Sequence, residues 1–136
     1  MIQLQLINMS IVKAFNEHFE EFISDIERVF HEDTDIATAH NALITLKKNN
    51  PKLIMTTFRD WIARPYKKEI EKGDITFFLK KDYSKDFNDF GCGDTGGMIL
   101  SKIDVLREPI SKMKGDDLNK VITYMQNLTK LCELYV

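Results

Sequence analysis

Gly91-Cys92-Gly93-Asp94-Thr95-Gly96 spells GxGxxG, with Asp116 twenty residues beyond it. That pattern holds a dinucleotide when a buried strand delivers the glycines to a helix N-terminus inside a βαβ unit. Here the preceding KKDYSKDFNDF is charged and carries no strand pattern, so the context argues against the fingerprint. No Lys-Ser/Thr pair follows the glycines, which removes a phosphate-cradling Walker loop as well. Asp82, Ser84, Asp86 and Asn88 alternate as the oxygen ligands of a calcium loop do. Phe87 occupies the place of the glycine that such a loop needs for its turn, and Gly93 that of the closing bidentate glutamate. His18, His31 and His40 form no HxxxH pair, and Cys92 and Cys132 lie forty residues apart without CxxC spacing. Neither set has the spacing of a zinc site or a redox pair. Adjacent carboxylates such as Glu20 and Glu21 diverge around a helix and make a charged face, not an acid/base pair. No catalytic residue, metal site or cofactor is expected.

Charge and aromatic residues are more informative. The net charge of −2 excludes a uniformly basic nucleic-acid coat. Residues 16–35 nevertheless hold eight acids and one base, whereas residues 47–72 hold eight bases and three acids. Within the basic half, Lys48, Lys52, Arg64, Lys67 and Lys68 are candidate phosphate-binding residues, with Trp61 and Tyr66 among them as stacking platforms. The competing reading is that Trp61 is core, and that the lysines wet two helices or face the acidic half. Eight of the fourteen aromatic residues fall between Phe58 and Phe90. Helical spacing sends Phe58, Trp61 and Phe78 to the core and leaves Tyr66, Phe77, Tyr83, Phe87 and Phe90 as a candidate partner-binding surface.

These residues need a scaffold, and 136 residues with 43% hydrophobic content suffice for a single domain over 1–136. Ile11, Val12, Phe15, Phe19, Phe22, Ile23, Ile26, Val29 and Phe30 recur every three or four positions, the stripe of a helix capped by Ser10. Residues 2–9 alternate loosely, as a short strand or an extra turn, and His18 falls on the acidic, solvated side. Asp33 to Asp35 cap a second helix that stops before Asn49, Asn50 and Pro51. Pro51 opens a third with Ile54, Phe58, Trp61 and Ile62 inward, bent or ended at Pro65 and resuming up to Gly73. Asp74 caps a short segment favouring helix, residues 83–97 form a long Gly/Asp-rich surface loop, and Met98 to Lys114 is helical with a kink at Pro109. Asp116 or Asp117 caps the last helix. The sum is an all-α, irregular bundle of five or six helices. No apolar run approaches the ~20 residues of a membrane span. The opening MIQLQLINMSIVK lacks the layout of a signal peptide, and the sparse cysteines suit a reducing compartment.

Asn50-Pro51, Trp61, Pro65-Tyr66, Gly73-Asp74, Phe77-Phe78 and Lys81-Asp82-Tyr83, followed by REPISKM and NKVITYMQNLTKL, carry a resemblance that spans most of the chain after Thr38. In these features the sequence resembles a family of small helical proteins encoded by nucleocytoplasmic large DNA viruses, the giant viruses. The shared motifs are turns and aromatics, so no activity transfers with them. The resemblance implies a viral protein of the host cytoplasm, in viral factories, or of the virion, where it is packaged or assists assembly. Residues and resemblance together lead to a non-enzymatic protein-interaction module with a protein partner or self-association. The alternative is a nucleic-acid-associated factor using the basic segment.

Overall fold

A computed structural model describes residues 2–80 and 95–136, the side chains of Thr95 and Gly96 excepted. The chain is all-α, with no strand among the described residues. Its elements are α1 (Ile2–Val29), α2 (Thr34–Asn49), α3 (Leu53–Phe58), a π-helical segment (Arg59–Ala63), α4 (Lys67–Glu71), α5 (Thr76–Lys80), α6 (Thr95–Asp104), α7 (Arg107–Ser111) and α8 (Gly115–Leu134). The two longest, α1 and α8, pack on each other. Helix α2 bridges α1 and α6, α3 fills the space between α2 and α6, α4 leans on α8, and α5 on α7.

The apolar stripe of α1 delivers the centre of the core. Phe15 is fully buried, its ring 5.8 Å from Phe19 and 5.6 Å from Phe58 of α3. Phe22 continues the ladder to Tyr124 of α8, with centroids 5.2 Å apart. Offset and tilted aromatic pairs of this kind add to the burial energy and tie three helices to one line of rings. Val29, the end of the expected stripe, is 44% exposed, because the chain leaves the helix there.

Several helix boundaries differ from expectation. Ser10 caps nothing: α1 already begins at Ile2, and Ser10 lies on its exposed side. Asp33 does cap α2, its Oδ1 accepting from the Asp35 and Ile36 amides at 2.9 and 3.3 Å. Pro51 and Lys52 form a turn, so α3 starts two residues later, and Met55, Thr57 and Ala63 are buried where Trp61 is half-buried. The reason lies in the π segment, where the Arg64 amide donates to the Arg59 carbonyl five residues back. The wider turn rotates the inward stripe just before Pro65, which has no amide to continue the ladder.

Gly73 closes α4 at φ +78°, the left-handed conformation that glycine adopts freely. Asp74 then accepts from the Thr76 amide and hydroxyl, and these bonds hold its carboxyl below the usual range. The segment that follows is helical, as its apolar spacing indicated. Thr95 to Gly97, expected in the long loop, are instead the first turn of α6, and residues 83–94 of that loop lie outside the described residues. The break between α6 and α7 falls at Val105 and Leu106, one turn before Pro109, whose missing amide leaves the Val105 carbonyl without its helical donor. Asp116 and Asp117 sit inside the first turn of α8 and make no side-chain cap.

Candidate functional site

Of the candidate partner-binding aromatics, Tyr66 and Phe77 are described and Tyr83, Phe87 and Phe90 lie outside the described residues. Tyr66 follows the π segment and Phe77 belongs to α5, which brings their rings parallel at 4.2 Å. Both are half-buried and packed against the core, so these two rings satisfy each other within the domain. The glycines of GxGxxG up to Asp94, and the alternating Asp82 to Asn88, also fall outside the described residues.

The basic segment splits into two places. At the first, Lys48 and Lys52 border a groove of about 700 Å³ between α1 and the α2–α3 turn, together with Lys13, Lys47, Glu17, Met9, Val12, Asn16, Asn50 and Pro51. Lys47 is held there by Glu20 across the α1–α2 seam at 2.5 Å, an instance of the acidic and basic halves facing each other. At the second, Arg64 bonds Asp60 at 3.3 Å and Lys67 bonds Glu133 of α8 at 3.0 Å. That bond and the charges of Glu133 and Glu71 raise the Lys67 pKa. Arg59, also held by Asp60, lies 6.0 Å over the Tyr135 ring. Lys68 is exposed. Of the five candidate phosphate-binding residues, Arg64 and Lys67 are thus engaged by carboxylates, whereas Lys48 and Lys52 border the groove.

His18 is not solvated as expected. Its ring lies 4.8 Å from that of Tyr124, because α8 covers this flank of α1, and its Nε2 is buried without a hydrogen-bond partner. Tyr124 donates to Asp25, which also holds Arg28 at 2.8 Å. Burial first, and the bond to Asp25 second, push the phenol up to about 12, so it stays protonated at neutral pH and keeps the hydrogen that it donates to Asp25. His40 meets Glu27 at 2.6 Å across α1 and α2, and His31 is exposed beside Glu32. Among the described residues no three His, Cys, Asp or Glu side chains converge as metal ligands would. Cys132 is 3% exposed, and desolvation raises its thiol to about 12, the opposite of an activated nucleophile.

The feature that periodicity missed is the start of α1. Ile2, Leu4, Leu6, Ile7 and Met9 are 42–74% exposed, although the helix is regular from Ile2 onward. Leu134 and Val136 extend the patch at 59% and 81%, tied to it by Asn8, whose side chain donates to the Val136 carbonyl at 2.9 Å and accepts its amide at 3.2 Å. At 100° per residue Ile2, Leu6 and Met9 share one side of the helix, and Leu4 and Ile7 share the opposite side. The patch continues into the groove, since Met9 belongs to both. On the groove floor, Asn16 is 6% exposed; its Nδ2 donates to the Pro51 carbonyl at 2.9 Å and its Oδ1 is buried without a partner. One sequence signal pointed here: residues 1–12 carry no charged side chain. Comparison with protein-family models, with curated proteins and with solved structures gives no match.

Proposed function

We propose that the protein is a non-enzymatic interaction module that docks on a protein partner through the apolar first two turns of α1. The supporting observation is the exposure of Ile2, Leu4, Leu6, Ile7 and Met9 on a regular helix, contiguous with Leu134 and Val136. Burying such a surface against a complementary one is the most direct way to remove it from water. Tyr66 and Phe77 contribute less to this reading than their composition suggested, because they already stack on each other. The viral setting, a particle or its assembly in host cytoplasm, rests on the resemblance, and mass spectrometry of purified particles beside infected-cell lysate tests it.

A second reading, phosphate binding, keeps some support from Lys13, Lys48 and Lys52 around one groove. Affinity capture with three proteins separates the two. Docking through α1 requires that Ile2→Glu/Leu6→Glu lose the partner that wild type and Lys48→Glu/Lys52→Glu retain, with little change as salt rises. Loss in the lysine variant alone, with a steep fall in binding on adding salt, would instead establish the phosphate reading.

A further inference from the structure

We infer that the groove between α1 and the α2–α3 turn is a mononucleotide site, in which a base bearing an exocyclic amine lies against Asn16 and a phosphate monoester sits among Lys13, Lys48 and Lys52. The inference rests on the phosphate reading given above, whose ligand it names, and is independent of what docks on the apolar end of α1.

The groove is held open by bonds across it. Asn16 of α1 donates its Nδ2 hydrogen to the Pro51 carbonyl at 2.9 Å, and Lys47 of α2 bonds Glu20 of α1 at 2.5 Å, so the two walls keep a fixed separation. A volume of about 700 Å³ is that of a small-molecule pocket. Met9, Val12 and Pro51 supply apolar surface on which a flat heterocycle leaves water, and the methylene stems of the lysines extend it.

Charge and hydrogen bonding select the ligand. Lys13, Lys48 and Lys52 make no ion pair among the described residues, whereas Lys47 is neutralised by Glu20. Set against Glu17, the one carboxylate of the lining, these three ammonium groups leave two net positive charges. A phosphate monoester carries close to two negative charges at neutral pH and matches them. Asn16 is 6% exposed and its Nδ2 is committed to Pro51, which leaves Oδ1 as a buried acceptor without a partner. Such an acceptor calls for a donor, and the amine of a nucleobase brings one attached to an apolar ring. Asn50, on the same lining, makes no side-chain hydrogen bond among the described residues and offers a second amide to the edge of the base. Lys13 and Asn16 stand at i and i+3 on one side of α1, so a molecule of this size reaches both.

Other small ligands meet these demands only in part. A fatty carboxylate brings a single charge and lays methylenes against the unpartnered Oδ1. Inorganic phosphate has no apolar body. An acidic peptide has donors, but its carboxylates are single charges spaced along a chain and not a dianion at one point.

Titration of the full chain with adenosine monophosphate and with cytidine monophosphate, followed by calorimetry and by amide NMR shifts, tests this. Dissociation constants between about 10 µM and about 1 mM are expected, with the shifts gathered on residues 12–17 and 47–52. Adenosine, which lacks the phosphate, and purine riboside monophosphate, which lacks the amine, should each bind at least about 10-fold more weakly than adenosine monophosphate. Lys48→Glu/Lys52→Glu should weaken binding by more than about 10-fold, with an unchanged thermal midpoint because both side chains are exposed. Lys67→Glu/Lys68→Glu and Ile2→Glu/Leu6→Glu should retain it, since none of the four lines the groove. No binding of either nucleotide up to about 5 mM, equal binding of purine riboside monophosphate, tighter binding of dodecanoate, or shifts centred on another face would each overturn the inference. A short single-stranded oligonucleotide that binds through Lys48 and Lys52 where neither mononucleotide does would overturn it while leaving the phosphate reading in place, and silence from all three would end both.

Discussion

Cys132 offers a quantitative test of the claim that this domain holds its cysteine for packing and not for chemistry. The side chain is 3% exposed on α8, with its Sγ 4.0 Å from the Met55 carbonyl of α3. Desolvation is the largest influence on it and raises the thiol from about 9 to about 12; the nearby Arg59 pulls the other way and loses. The unfolded chain sheds this proton near pH 9 while the folded chain holds it, so above pH 9 the native state binds more protons and stability falls as pH rises. Below pH 9 the contribution is complete. From there to about pH 12 each pH unit removes about 1.4 kcal/mol.

The measurement compares urea unfolding of Cys92→Ser protein with that of Cys92→Ser/Cys132→Ala at several pH values. Alanine shifts the whole curve by the lost packing, about 1 kcal/mol, but removes the titration. The advantage of the cysteine protein should therefore fall by about 1.4 kcal/mol between about pH 8 and about pH 10, enough to cancel the packing loss and reverse the order of the two. In the same background, Cys132 should react with a disulfide reagent at pH 8 only as fast as the fold opens. Parallel pH dependences, or rapid thiol reaction in the folded protein, would refute the reasoning and reopen a nucleophilic role for this residue.

Phe15→Ala should cost about 3–5 kcal/mol, because a fully buried ring between Phe19 and Phe58 leaves a cavity that three helices border; a loss under about 1.5 kcal/mol in urea would show that the ring ladder is not the centre of the core. Gly73→Ala should cost about 1 kcal/mol: a Cβ there meets Ile122 at 3.6 Å, an ordinary contact, so the left-handed backbone is the whole penalty, partly offset by a stiffer unfolded chain. Gly73→Asn should cost less than alanine, and a thermal melt that ranks them the other way would count against this account. Tyr124→Phe removes a donor to Asp25, which keeps Arg28, so about 1 kcal/mol is lost at neutral pH. The phenol's raised value also adds to the loss of stability as pH climbs from about 10 to about 12, so in circular dichroism melts the phenylalanine variant should fall less steeply there than wild type, keeping only the share that Cys132 contributes.

The legible parts of the fold are those in which a residue's role is decided by its own neighbours in sequence. The stripe from Ile11 to Ile26, the Asp33 cap and the reversal at Gly73 are local, and each stands where spacing and side-chain chemistry put it. His18 shows the boundary of that method. It lies on the acidic flank of α1, and only the approach of α8, more than a hundred residues away, turns that flank into an interior and sets Tyr124 against it. Lys47 likewise reads as a solvated helix end until α2 folds back and brings it to Glu20. The π segment has the same character: Pro65 announces an ending, but the extra residue that exchanges Trp61 for Ala63 in the core depends on what α3 packs against.

The start of α1 eluded a periodic reading for a further reason that bears on function. Ile2, Leu4, Leu6, Ile7 and Met9 point around more than half of the helix circumference, so the segment is apolar without being amphipathic, and no single face stands out against a polar one. Ser10 then imitates a cap at the point where the one-sided stripe begins. A helix end that is apolar on several sides can rest one side on its own domain, as Asn8 does through Val136, but the other sides need a surface that the domain does not contain. The absence of charge before Lys13 makes the same point from composition: the segment has neither the polar face of a solvated helix nor the enclosing neighbours of a core helix.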